Sequence, residues 1–203
     1  WLIEQRTAKV VSSFDSEWRK LMESALKFAK DKKFDLLMDP ARRARDIYPD
    51  YVEAGSPYEL LAEALVAAGD RAAAAQELDQ YRLHGGKSPR LLKQLAGLLV
   101  ELHQPDQARA VLEQILWLRP GDEALHSRLG RLLLDARQPR PAIREFTSLL
   151  ALKALDPAAA HYNLARAYHQ LNDRAKTREH LLAALEAAPG YRPAQKLLLE
   201  INR

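Results

Sequence analysis

The chain has 203 residues, 47% hydrophobic and 29% charged, which is enough to bury a substantial core as one medium domain or one elongated array and too apolar for disorder. With 31 Lys and Arg against 27 Asp and Glu the net charge is +4, a mixed surface that permits nucleic acid without implying it. Cysteine is absent, which excludes disulfides, thiolate-bound zinc and thiol catalysis, and no apolar run approaches the roughly 20 residues of a membrane helix; the expectation is a soluble chain, cytoplasmic or periplasmic, with no membrane partner.

Residues 1–17 carry Leu2, Ile3, Val10, Val11 and Phe14 between basic and polar residues, a pattern that predicts an N-terminal helix, either a cap or the end of an upstream domain. The chain opens on Trp1 with no initiator methionine, and WLIEQRTAK lacks the charged-then-apolar order of a secretion signal, so the expectation is a piece of a larger polypeptide. Residues 18–51 predict a helix pair, with Leu21, Ala25 and Phe28 on the first helix and Ala41 and Ala44 on the second, closing at Pro49. Between them, KKFDLLMDP breaks the helical pattern and predicts a long or irregular turn. Residues 52–54 read as a linker.

From residue 55 onward the apolar spacing alternates between helical runs and short polar breaks. The breaks fall at Gly69-Asp70, Gln104-Pro105-Asp106, Gln138-Pro139-Arg140 and Asn172-Asp173. Gly, Asn and Asp suit such breaks because they tolerate left-handed backbone, and Asp and Asn can cap the helix that follows. Ser56-Pro57, Ser88-Pro89 and Asp156-Pro157 each place a capping side chain before a first-turn proline. After Tyr191, Ala194, Leu197, Leu198 and Ile201 share one face of a last helix, as needed to shield the end of a stack.

The breaks recur about 34 residues apart, a period that indicates stacked helix pairs in place of a globular bundle. Aligned on them, the units are 55–88, 89–122, 123–157 with one extra residue, and 158–191, preceded by a degenerate unit 18–51 and followed by a capping helix 192–203. Each unit carries parts of one pattern: Tyr58, Leu61-Ala62, Leu65, Ala74 and Leu78; Leu92, Leu95-Ala96, Leu99, Ala108, Leu112 and Pro120; His126, Leu129-Gly130, Leu133, Ala142 and Phe146; His161, Leu164-Ala165, Tyr168, Leu181 and Pro189. The chain resembles the tetratricopeptide-repeat family, whose pattern is W-x2-L-G-x2-Y, then A-x3-F, then P. Departures are Gly86 in place of the proline and Thr177 in place of an alanine. The resemblance implies an all-α fold, a right-handed superhelical solenoid of such helix hairpins with a C-terminal capping helix, residues 18–203 forming the array. Small residues at Ala62, Ala96, Gly130 and Ala165 are expected to let paired helices approach closely.

No catalytic, cofactor or metal constellation is legible. The six histidines include no HExxH and no carboxylate-rich metal spacing, Gly85-Gly86 is a lone pair at the end of a unit, and carboxylates are scattered over helical faces. In the family this chain resembles, the face of each first helix that is not used in the hairpin lines a concave groove for an extended peptide or a helix. Read onto this sequence, that face offers Arg90 and Lys93, then Arg128 and Arg131, then Tyr162, Asn163, Arg166 and His169, with Glu59 and Glu63 nearer the N-terminus. The resemblance therefore implies a non-enzymatic protein–protein interaction scaffold that takes a peptide or protein segment, acidic where it meets the arginines. The terminal-carboxylate clamp of chaperone-binding relatives is not matched, since Lys93 has Gly97 where an asparagine should follow. The alternatives are an accessory C-terminal domain of an upstream enzyme and a single-stranded nucleic-acid binder. Only Tyr162 and His169 offer stacking surfaces on that face, which disfavours the latter.

Overall fold

The computed structural model describes the backbone of residues 2–202 and the side chains of residues 15–202. The side chains of Leu2, Ile3, Val10, Val11 and Phe14 lie outside the described residues. Among the described residues every regular element is an α-helix, and the chain divides into two compact units, Trp1–Gln104 and Pro105–Arg203.

The first unit holds α1 (Leu2–Lys30), α2 (Phe34–Ile47), α3 (Pro57–Ala67), α4 (Arg71–Leu83) and α5 (Pro89–Glu101). Each helix packs on the next, so α1 pairs with α2 and α3 with α4. Residue 17 lies inside α1, which runs unbroken into the first helix of the 18–51 segment. Met22 and Ala25 of α1, Leu37, Ala41 and Ala44 of α2, and Leu60, Leu61 and Ala64 of α3 form a buried core bordered by Trp18 and Phe28. Each fully buried leucine there contributes about 1.5–3 kcal/mol relative to an exposed one.

The second unit holds α6 (Pro105–Leu118), α7 (Glu123–Asp135), α8 (Pro139–Ala151), α9 (Pro157–Gln170), α10 (Arg174–Ala187) and α11 (Arg192–Ile201). Here α7 pairs with α8, α9 with α10, and α8 lies against α9. Ala194 of α11, with Leu197, Leu198 and Ile201, packs on Ala165, Leu181 and Ala184. The two helices of the 89–122 segment fall in different units.

One backbone device ends α1, α3, α5, α7 and α9. Lys32, Gly69, His103, Arg137 and Asn172 are left-handed, with φ between 56° and 82°. The following residue's N–H then donates back five residues, to the carbonyls of Phe28, Leu65, Leu99, Leu133 and Tyr168, at 2.8–3.0 Å. That bond satisfies a carbonyl the helix end would otherwise leave unpaired. Asp70 and Asp173 then cap the second helices by accepting from the N–H groups of Ala73 and Lys176.

The structure corrects two expectations. KKFDLLMDP is not an irregular turn: the turn occupies residues 31–33 and closes like the others, and Phe34 onward is already helix, with Leu37 and Pro40 buried. Ser88 does not cap α5. Its own N–H donates to the Tyr81 hydroxyl at 3.0 Å. The same tyrosine accounts for Gly86, because a Cβ at that position would stand 2.3 Å from the Tyr81 ring. Thr177 is fully buried, and its hydroxyl donates to the Asp173 carbonyl at 2.6 Å, so an alanine position accepts a polar side chain without an orphaned group.

Candidate functional site

In the first unit, the candidate Arg90 sits at the start of α5 and is committed to a carboxylate. It pairs with Glu59 of α3, whose second oxygen accepts from the Gly55 N–H at 3.0 Å. The two charges, both read from the sequence onto the same face, thus neutralise each other locally. Lys93, one turn further along α5, is half-buried. Arg90 and Glu59 line a cleft of about 570 Å³ with Glu53, Tyr81, Lys87 and Ser88.

In the second unit, Arg131 of α7 and Tyr162 and Asn163 of α9 meet at a cleft of about 610 Å³. Its floor is apolar, from Leu149, Ala159 and Ala160, and its rim carries Ser127, Glu123 and Asp156. Arg131 is exposed, and its Nε–H donates to the Ser127 carbonyl at 3.3 Å. The Tyr162 ring stands edge-on to Tyr191 at 5.6 Å. Burial raises the Tyr191 hydroxyl pKa above its ordinary value, and nearby Asp156 adds to the effect.

Asn163 is partly engaged within its own helix, donating to the Ala159 carbonyl at 2.9 Å and accepting from Arg166 at 3.2 Å. A side-chain amide has further donor and acceptor capacity beyond those two bonds. Arg166 also lies 3.6 Å from Asp135 of α7. Arg128 is half-buried, and His169 is exposed at the C-terminal end of α9. Nearby, Gln170 donates to the Leu134 carbonyl while its Oε1 is buried without a partner. The structure therefore brings Arg131, Tyr162 and Asn163 into one cleft and does not place Arg128, Arg166 or His169 in its lining.

Sequence reasoning missed Tyr191, Glu123, Asp156 and Leu155, all of which line this cleft. Leu155 is 97% exposed, and its N–H donates to Glu123 at 3.3 Å. The one signal pointing to it was the extra residue of the 123–157 segment, which lengthens that loop. A second exposed apolar feature is Trp117, 90% exposed at the rim of a cleft that also contains Leu116, Pro120 and Leu129.

Two histidine contacts recur at one place in successive hairpins, each joining residues 19 apart. His126 is buried, with Nδ1 2.7 Å from Glu145 Oε2 and Nε2 2.9 Å from the Pro120 carbonyl. In the next hairpin, His161 Nδ1 stands 3.2 Å from His180 Nδ1. Burial lowers the pKa of both, assisted at His180 by the charge of His161 when it is protonated. Among the described residues no group of three or more ligating side chains is placed to hold a metal ion, and no helix is long and apolar enough to cross a membrane.

Residues 99–161 match a family model described as tetratricopeptide repeat. The hairpins on either side of that segment close with the same left-handed turn. The 99–161 segment is tetratricopeptide repeat by its match. No curated protein matches the chain. Among solved structures, the tetratricopeptide protein YrrB, described as having an unusual peptide-binding site, is 19% identical with a TM-score of 0.67, covering 94% of this chain and 96% of that one. A MamA structure is 16% identical with a TM-score of 0.62, covering 85% and 92% respectively. MamA from residue 41 to the end, from Desulfovibrio magneticus RS-1, is 25% identical over 71% of this chain and 81% of that chain, with a TM-score of 0.60. These likenesses establish the tetratricopeptide fold.

Proposed function

We propose that this chain is a non-enzymatic interaction scaffold that holds a peptide or protein segment on the face formed by its first helices. The observation that carries the reading is the cleft where Arg131, Tyr162 and Asn163 converge over an apolar floor. An extended segment bound there would bury an apolar side chain against Leu149 and Ala160 and stack on Tyr162. Arg131 would pair with a carboxylate, and the amide of Asn163 would bond the ligand's backbone. That YrrB is described as having a peptide-binding site supports the class of ligand. Because Glu123 and Asp156 sit on the same rim, the segment should be mixed in charge, its acidic group placed at Arg131 and not distributed along its length.

The test is a peptide array of 15-residue segments, with the strongest binders measured by fluorescence anisotropy. Arg131→Glu and Tyr162→Ala should each weaken the binders by about tenfold, a loss of about 1.4 kcal/mol, with the arginine effect shrinking as salt rises. Binders that tolerate the double variant unchanged would place the ligand elsewhere.

A further inference from the structure

From the facing rings of His161 and His180 we infer that the hairpin of α9 and α10 opens in mild acid, because their Nδ1 atoms admit one proton between them and not a second.

The geometry at neutral pH demands one donor and one acceptor. At 3.2 Å the Nδ1–H of one ring points at the Nδ1 lone pair of the other. A first additional proton has an outlet, since the donor ring can take it on its outer nitrogen and go on donating inward. A second has none, for it would fill the acceptor's lone pair and set two N–H groups and two positive charges face to face. The pair therefore titrates as a unit.

The surroundings keep the rings from swinging apart. The Tyr168 ring lies nearly parallel to His180, 12° off with centroids 5.3 Å apart, and the plane of His161 is 27° from that of His180 with centroids 5.4 Å apart. Lys176 lies over the Tyr168 ring, 4.9 Å from its centroid, and its charge opposes protonation of His180. Glu179 acts in the other direction on both rings, and Glu186 on His161. On the neighbouring elements, Arg144 and Glu145 of α8 line the cleft beside His126. The α11 helix meets α10 through Leu197, Leu198 and Ile201.

The sign follows from proton counting. An open hairpin takes both protons near pH 6.5, whereas the closed one resists the second, so the open form binds more protons as pH falls. The opening equilibrium should therefore shift about tenfold per pH unit below that value for each excess proton. His126 is the internal comparison, because both of its ring nitrogens face oxygen atoms.

The experiment is amide hydrogen exchange by NMR on the ¹⁵N-labelled chain at pH 7.5 and 5.0, corrected for intrinsic exchange. Opening of α9 and α10 should increase more than tenfold in acid, and His180→Gln or His161→Gln should remove most of the increase. An increase of the same size in both variants, or none in the parent chain, overturns the inference. Should one variant fail to fold at pH 7.5, the other serves, and ring ¹⁵N shifts of the parent chain decide independently. Two fully protonated rings at pH 5.0 with α9 and α10 still protected would refute it.

Discussion

Gly130 of α7 lies against the ring of Phe146 in α8, so closely that a Cβ on the glycine would stand 2.7 Å from Phe146 Cζ. Phe146 is fully buried and cannot yield without opening a void. Gly130→Leu should therefore destabilise the second unit by roughly 1–3 kcal/mol, despite leucine's better helix propensity. Ala165→Leu, at the corresponding point where Leu181 and Ala184 close in, should cost a similar amount. Urea midpoints of both variants check this, and unchanged midpoints would contradict the packing described.

Arg137 is exposed and holds a left-handed backbone, φ 57°, at the turn between α7 and α8. A side chain in that conformation costs roughly 1–2 kcal/mol, of which glycine recovers part while losing some to a freer unfolded chain. Arg137→Gly should raise stability by about 0.5–1 kcal/mol, read as a later thermal midpoint. A fall would mean that the arginine side chain outweighs the turn.

Arg45 of α2 and Glu77 of α4 form a half-buried pair at 2.6 Å. Burial opposes the Arg45 charge, but its bonds to Glu77 and Asp46 outweigh that, and the net shift of its pKa is upward. Glu77→Gln keeps the volume and removes the charge partner, and should cost roughly 1–3 kcal/mol. Denaturant unfolding of Glu77→Gln beside Arg45→Gln and the double variant isolates the pair. A double variant whose cost equals the sum of the two singles would show the pair to be inert.

Tyr58 is buried, and its hydroxyl donates to the Pro49 carbonyl at 2.7 Å. Burial raises its pKa above the ordinary value near 10. The folded state thus retains the phenol proton longer than the unfolded state does. The resulting stability is complete below about pH 10 and is lost as pH rises through the folded value. Ultraviolet titration of phenolate should show a late-ionising component that disappears in Tyr58→Phe. An unchanged titration curve would place the retained proton elsewhere.

Most of the hairpin architecture was legible because its signals are local. Gly69-Asp70 and Asn172-Asp173 announce their turns through residue types suited to left-handed backbone and capping, and the alanines and glycine of the close contacts recur at the repeat period. Lys32, His103 and Arg137 adopt the same left-handed conformation without any such type, since a cost of roughly 1–2 kcal/mol is outweighed by the carbonyl bond and packing that the turn secures. For that reason the residue pattern predicts too long a turn around Phe34, where the chain instead forms a helix that buries Leu37 and Pro40.

The amino-acid order alone determined that the chain forms helices and which of their small residues, such as Ala62, Ala142 and Ala165, are buried, because helical periodicity is written along the chain. Only the tertiary structure decided which charges remain available. Arg90 is taken by Glu59 from 31 residues away, Arg166 lies beside Asp135, and Arg131 shares its cleft with Tyr191, a residue 60 positions distant by number. Such pairings depend on which helices lie side byside and on side-chain reach across them, and neither quantity is encoded in the spacing of residues along a single helix.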